Sequence, residues 1–554
     1  MRTLLTLLVL ALPVFAQSPR PPVESKNGMV VCVCPLAADV GAKVLADGGN
    51  AVDAAVAVAF AEAVTWPEAG NIGGGGFMLV RPNDGKDATF FDYRETAPAA
   101  ATKTLFADGT TDWRSHKSAG VPGTVRGLEL AHKRFGSKPW KDLVAPAVML
   151  AKDGFAIDGP LAKRLNDILA DGKTTNAEFR RIFGKADGSK WQAGDTLRQT
   201  NLGTTLAGIA EHGPAWFYTG PPAEQLDAEM KDGGGLITKA DLAGYAAKER
   251  KPLTGTYRGY DIVAAPPPSS GGTAILEALN VLEQFDVKAH PRHSVETIHL
   301  IAEVQRRVFR DRAEFLGDTD FLTVPPHLTT KEYAKKVAAT IDPNKATPSE
   351  SLAGTIPIAE TGGNTTHFSV IDKTGFAVSN TYTLENNFGS RIAVRGAGFI
   401  LNNEMTDFNP IPGTTTRTGK IGTEPNQIVP GKRMLSSMTP TIVTKGGQPY
   451  LVTGSPGGRT IINTVLCVLV NTLDYDMSPT AAVDVARQHH QWFPDQLAVE
   501  KFPGSDDVIA KLKAMGHKVV DAKQGDAHSI RIDPTGTFSG AADKRINGKA
   551  SGVK

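Results

Sequence analysis

The chain has 554 residues, 41% of them hydrophobic and 21% charged, a composition of ordinary globular proteins that excludes a disordered or collagen-like polymer. Its 60 Lys and Arg face 58 Asp and Glu, a formal net charge of +2. That balance offers no bulk attraction for nucleic acid or an anionic membrane, so a small-molecule partner is expected. The length allows about three or four domains, or one large α/β unit with additions.

In chain order, Arg2 precedes an apolar run over residues 4–12, too short to span a bilayer, and Val14-Phe15-Ala16 ends it in the pattern of a signal-peptide cleavage site. Residues 1–16 are therefore expected to be removed after Ala16, giving a periplasmic or secreted protein. No later segment supplies the roughly 18 uninterrupted apolar residues of a membrane span. Cys32, Cys34 and Cys467 make no disulfide framework, and Cys32 and Cys34 alternate in a β-like run as small core residues. Residues 36–65 read as helices broken at Gly48-Gly49, and the tetraglycine 73–76 introduces a buried strand at Phe77. Residues 101–350 are mostly helical in pattern, interrupted by Gly120-Val121-Pro122-Gly123 and by the rigid turn at 266–272. Thr366 to Asp372, a Lys373-Thr374-Gly375 turn and Phe376 to Leu384 then read as a β-hairpin. Strands at 439–444 and 449–453 and helices at 460–474 and 479–487 complete a mixed α/β pattern.

Spacing sets several chemistries aside. No HExxH or CxxC is present, and the neighbours His489 and His490 point in different directions, so no metal site is expected. The tetraglycine lacks the Lys-Ser/Thr of a phosphate loop, so no nucleotide cofactor is implied. Gly454-Ser455-Pro456-Gly457-Gly458 is not a GxSxG elbow, which disfavours a serine hydrolase of that kind.

What remains is a threonine at the head of the hairpin. Asn364-Thr365-Thr366-His367-Phe368-Ser369-Val370 resembles the processing and nucleophile motif of the γ-glutamyltransferase (glutathione hydrolase) family of N-terminal-nucleophile hydrolases. The resemblance continues in order through Gly49-Asn50-Ala51-Val52-Asp53, Gly73 to Phe77, Asp92-Tyr93-Arg94-Glu95, Gly120 to Gly123, Asp311 to Asp318, Leu435 to Pro440 and Gly454 to Gly458. It covers the chain from about residue 27 to the end.

The position also makes chemical sense. A threonine hydroxyl needs a base, and an N-terminal threonine supplies its own α-amine. The resemblance implies autocatalytic cleavage of Asn364–Thr365 into a large subunit, 17–364, and a small subunit, 365–554, which stay together as a heterodimer in a four-layer αββα sandwich. It implies that Thr383 orients the nucleophile, that the amides of Gly457 and Gly458 face the oxyanion, and that Arg94, Ser436 and Ser437 hold the substrate α-carboxylate. Glu385, Glu404 and Asp407 fall at the positions that meet its α-ammonium, and three acids there would repel one another unless some are protonated or paired. The expected donor is glutathione or another γ-glutamyl compound, the acceptor water, an amino acid or a peptide. A cephalosporin or glutaryl acylase, a poly-γ-glutamate depolymerase and an inactive periplasmic γ-glutamyl-binding homologue are the alternatives. The 28 residues between Asp407 and Ser436 are turn-rich and carry no aromatic residue from Asn409 to Leu435, the pattern of a loop over the pocket.

Overall fold

The structure, a computed structural model, describes residues 20–84, 86–109, 111–171, 176–354, 356, 359–360 and 366–554. The expected signal segment 1–16 and the expected cleavage pair Asn364 and Thr365 lie outside the described residues.

The core strands are β1 (Val23–Ser25), β2 (Gly28–Cys32), β3 (Gly75–Arg81), β4 (Thr89–Asp92), β5 (Lys248–Arg250), β6 (Leu253–Tyr257), β7 (Tyr260–Ala264), β8 (Thr366–Asp372), β9 (Ala377–Thr383), β10 (Thr441–Lys445), β11 (Gln448–Thr453), β12 (His528–Ile532), β13 (Phe538–Ala542) and β14 (Lys549–Gly552). Among the described residues they build two seven-stranded antiparallel sheets, in the orders β14-β2-β8-β9-β3-β4-β5 and β1-β13-β12-β11-β10-β7-β6.

Alternation along the strands produces the layers. In the first sheet Val30, Cys32, Met78, Val80, Phe368, Val370 and Val378 join one core with the outer helices, which include Ala51–Thr65. Their neighbours Met29, Val31, Phe77, Leu79 and Ile371 face Val263, Ile442, Val452 and Ile530 of the second sheet. Beyond that sheet, Ile262, Ala264, Val443 and Leu451 pack with helices Gly271–Leu282, Val295–Phe315 and Thr460–Leu473. The order helix, sheet, sheet, helix is the expected αββα sandwich. Cys32 and Cys34 are buried core residues, as read.

Local chemistry explains two of the sequence signatures. In Gly49-Asn50-Ala51-Val52-Asp53 the Asn50 side chain accepts from the amides of Val52 (2.9 Å) and Asp53 (3.0 Å), while Asp53 accepts from the Asn50 amide (2.9 Å), a reciprocal cap that starts the buried helix. The β8–β9 turn is closed by Asp372, whose side chain accepts from the Thr374 amide and hydroxyl at 2.8 and 2.7 Å.

The helical reading of 101–350 needs correction at its centre. β5, β6 and β7 lie there, because Leu253–Tyr257 is a short edge strand of sequence LTGTY, half exposed, and turns back through Arg258 and Gly259, both at positive φ. The second of the two late helices is also shorter than read, ending at Asp484.

Candidate active site

The end of β9 is fixed by backbone contact. Gly74 lies so close that a Cβ on it would stand 2.1 Å from the Thr383 carbonyl oxygen, which accounts for glycine there. Asn71 closes the junction. Its Nδ2 donates to the Thr383 carbonyl (2.8 Å), and its Oδ1 accepts from the Gly74 amide (2.9 Å) and the Thr124 hydroxyl (2.7 Å). The Thr383 hydroxyl in turn accepts from the Glu385 amide at 2.8 Å. Glu385 holds a φ of +77°, a strained value for a non-glycine residue.

Beside this junction opens a cavity of about 470 Å³. Its walls include Arg94, Thr383, Glu385, Glu404, Asp407, Ser436, Ser437 and Gly458, so sequence-predicted residues from widely separated parts of the chain are brought to one place. Gly457 lines an adjoining crevice with Gly525 and Asp526 instead. Thr365 lies outside the described residues, and the next residue, Thr366, pairs with Tyr382, the neighbour of Thr383.

Arg94 is 1% exposed and ion-paired to Glu404 at 2.6 Å, to Asp407, and to Glu95 at 3.6 Å. Burial opposes its charge, and the acids more than offset it, holding the guanidinium above its ordinary value. Burial drives the Glu404 carboxyl well above the usual carboxylate range against the pull of Arg94, and pushes Glu95 up to about 8. Burial thus favours the neutral form of each, which lessens the repulsion anticipated among the acids.

Asn402 wires this acid cluster to the glycine motifs. Its Nδ2 donates to the carbonyls of Gly73 and Gly120, each at 2.8 Å, and its Oδ1 accepts from the amides of Gly120 (2.8 Å) and Glu404 (3.0 Å). The serine pair is seated on the 266–272 turn: the Ser436 amide donates to the Pro268 carbonyl (2.9 Å), and the Ser436 carbonyl accepts from the Ser270 amide (2.8 Å).

Gly457 and Gly458 adopt φ of +129° and +56° at the head of helix Thr460–Leu473. Among the described residues neither amide donates a hydrogen bond, so two N–H groups stand available at a helix N-terminus. Ser455 is spent on structure, donating to the Pro456 carbonyl (2.6 Å) and accepting from the Asp526 amide (3.1 Å).

The segment between Asp407 and Ser436 does border the cavity, through Asn409, Lys420 and Thr423 among others, and it is internally bonded, as from the Gly413 amide to the Gly422 carbonyl at 2.8 Å. The aromatic residues of the cavity wall, Phe106, Trp113 and Phe408, come from outside Asn409 to Leu435. Sequence reasoning missed Asn71, Asn402, Arg312 and Arg459. Arg312 stands in a quoted motif and Arg459 follows the glycine pair, but neither pattern shows that the side chain lines the cavity.

Among the described residues, ligand atoms of His299, Glu303 and His517 lie within 4.8 Å of one another. They are already engaged: the imidazoles hydrogen-bond each other at 2.8 Å, and Glu303 pairs with Arg306 (3.2 Å) and Arg307 (2.7 Å). His489 and His490 bond to Asn463 (2.7 Å) and Asp495 (3.3 Å) and do not converge.

A family described as Gamma-glutamyltranspeptidase matches residues 37–553. The chain belongs to this family. Within it, the glutathione hydrolase proenzyme of Escherichia coli (strain K12) is 47% identical over 532 residues, covering 95% of this chain and 91% of that relative. The structure is similar to cephalosporin acylase from Bacillus halodurans, with a TM-score of 0.86, 28% identity and coverage of 99% of this chain and 100% of that one. It is also similar to Helicobacter pylori γ-glutamyltranspeptidase, with a TM-score of 0.55 and 40% identity over 61% of this chain and 96% of that one. This γ-glutamyltranspeptidase family member is thus an enzyme of the N-terminal-nucleophile hydrolase type. Among its described residues no helix is long and apolar enough to cross a membrane.

Proposed function

We propose that the enzyme transfers the γ-glutamyl group of glutathione and related compounds to water or to amino acids and peptides, after cleaving itself between Asn364 and Thr365. The arrangement around Arg94 carries this reading. Its buried guanidinium is engaged by Glu404 and Asp407 before substrate arrives. A γ-glutamyl head group brings one carboxylate and one ammonium, so the carboxylate takes Arg94 with Ser436 and Ser437 while the ammonium takes Asp407, Glu404 and Glu385. In that exchange Arg94 keeps an anionic partner and Asp407 a cationic one. A glutaryl group has no ammonium and would strand the acids, which disfavours the acylase reading despite the resemblance of the fold.

The Thr365 hydroxyl attacks the γ-carbonyl, its own α-amine takes the proton, and the amides of Gly457 and Gly458 donate to the oxyanion. Thr383 positions the nucleophile from the facing end of β9. The protonated amine passes its proton to the leaving amine, leaving a γ-glutamyl ester. Water releases glutamate from that ester, and an amino acid or peptide gives a new γ-glutamyl product. Export through the signal segment places the heterodimer of 17–364 and 365–554 in the periplasm or outside the cell.

Intact mass of wild type and Thr365→Ala, followed by addition of glutathione, tests this. Wild type should give fragments of about 37 and 20 kDa and release glutamate, and the mutant neither. An uncleaved wild type that binds glutathione without consuming it would establish the binding-protein alternative. Cleavage without glutathione turnover would establish an acylase or depolymerase.

A further inference from the structure

Arg94 is not the only cation of the cavity. Arg312, Lys420 and Arg459 also line it, against the carboxyls of Glu385, Glu404 and Asp407. Four cations thus meet three carboxyls around the cavity, and Arg94 alone is ion-paired to two of those carboxyls. A γ-glutamyl head group adds one charge of each sign and does not change that surplus.

Arg312 and Arg459 are unusual in their partners. Arg312 is 8% exposed, yet it donates only to hydroxyls, Ser270 at 2.9 Å and Ser437 at 3.1 Å. Arg459 donates to the Gly419 carbonyl of the loop that borders the cavity. Among the described residues neither has a carboxylate within 4.0 Å, whereas Arg94, the other arginine lining the cavity, has Glu404 and Asp407. Burial lowers the pKa of both, and the charge of Arg459 helps bring Arg312 down to about 9. Two neighbouring guanidinium groups, Arg312 buried and Arg459 partly so, with no carboxylate against either, are costly unless a ligand supplies the counter-charge. Arg459 is also the residue after Gly458, so its side chain starts one peptide from the amide assigned to the oxyanion. Both Gly458 and Arg459 line the cavity, so the side chain borders the place assigned to the γ-carbonyl.

We propose that Arg459, with Arg312 beside it, forms an anion subsite for the C-terminal carboxylate of the leaving group, so that the enzyme selects γ-glutamyl peptides with a free C-terminus over neutral γ-glutamyl amides and esters. The inference rests on the functional reading above. It assigns the unpaired cations of the cavity to the half of the substrate that the γ-glutamyl subsite does not touch. Fork-shaped guanidinium donors suit a carboxylate, and the loop carbonyl of Gly419 fixes one end of the Arg459 fork.

The test compares kcat/KM for glutathione and for its glycine ethyl ester in wild type, Arg459→Gln and Arg459→Lys, with glutamate release as the readout. Wild type should favour the free acid by about tenfold or more, a typical value for one charge-assisted pair. Arg459→Gln should bring that ratio to within about threefold of unity, and Arg459→Lys should restore most of it. Added salt should lower the wild-type ratio and leave that of Arg459→Gln flat. An equal ratio in wild type and Arg459→Gln, or an equal loss on both donors, would overturn the subsite, the latter by assigning Arg459 to the γ-glutamyl head group. Wild-type protein that releases glutamate from neither donor would overturn the functional reading and this inference with it, whereas turnover of both at an unaltered ratio overturns this inference alone.

Discussion

Asn71 is the sharpest test of how the site is held. Its side chain is 4% exposed and makes four hydrogen bonds: to the carbonyls of Thr383 and Ala69 at 2.8 Å each, from the Gly74 amide at 2.9 Å and from the Thr124 hydroxyl at 2.7 Å. At a net value of about 1 kcal/mol per bond, Asn71→Ala should cost about 4 kcal/mol. Thr124→Val removes one of the four and should cost about 1 kcal/mol. Both are measured by urea unfolding, as a shift in midpoint at constant slope. Activity separates the two variants further. Asn71→Ala frees the carbonyl that anchors the end of β9, and a displacement of about 1 Å at Thr383 should lower kcat/KM by about a hundredfold. Thr124→Val leaves that anchor bonded and should change kcat/KM less than about threefold, since the Thr124 hydroxyl bonds Oδ1 of Asn71 and not the Nδ2 that holds the Thr383 carbonyl. An Asn71→Ala protein that loses less than about 1 kcal/mol, or that retains wild-type kcat/KM, would refute the claim that this amide positions Thr383.

Gly457→Ala should lower kcat by about a hundredfold or more, because a Cβ there stands 2.5 Å from the Thr460 hydroxyl and shifts an amide assigned to the oxyanion; steady-state kinetics with glutathione would show it. Glu62 is fully buried and has no ion pair among the described residues, and burial pushes it up to about 8. Its folded pKa lies above its unfolded one, so the folded state binds the proton more tightly and stability falls as pH rises from about 4.5 to about 8. Glu62→Gln should therefore gain roughly 4 kcal/mol over wild type above pH 8 and nothing below pH 4, read by unfolding at the two pH values. Trimming residues 411–430 should open the cavity and alter both KM and acceptor preference; unchanged values for both would show that this segment does not gate it.

What could be read in the sequence was periodicity and punctuation. The β8–β9 hairpin follows from runs rich in Thr, Val, Tyr and Phe on either side of Lys373-Thr374-Gly375, and the acid, serine and glycine positions follow from ordered resemblance. The strands at 248–264 were not legible, because a half-exposed edge strand such as LTGTY has no hydrophobic face to alternate. The tetraglycine reads as a break, yet the reason for Gly74 is the Thr383 carbonyl, more than 300 residues away in sequence. Asn71 and Asn402 look like turn residues, and only the fold shows them as hubs that satisfy backbone groups from several segments. Arg312 and Arg459 were hidden for the same reason: residue type says that a cation is present, not that it has no anion.

The sheet order also explains why a cut at the head of β8 is compatible with the fold. β8 lies inside its sheet, paired on one side with β2 through Phe368–Cys32 to Asp372–Gly28 and on the other with β9 through Thr366–Tyr382 to Ile371–Ala377. Among the described residues β8 contributes to those ladders only from Thr366 onward, so a break between 364 and 365 would leave β8 pinned from both sides. The two products of such a cut would remain interleaved, since β2 and β3 come from the first segment and β8, β9 and β14 from the second. Separating them would unpair β2 from β8 and β9 from β3, exposing apolar ladders on both faces, and that cost would hold the two pieces together without a disulfide. The architecture thus permits a chain terminus to be made in the middle of a sheet, next to a cavity already shaped by residues from both segments.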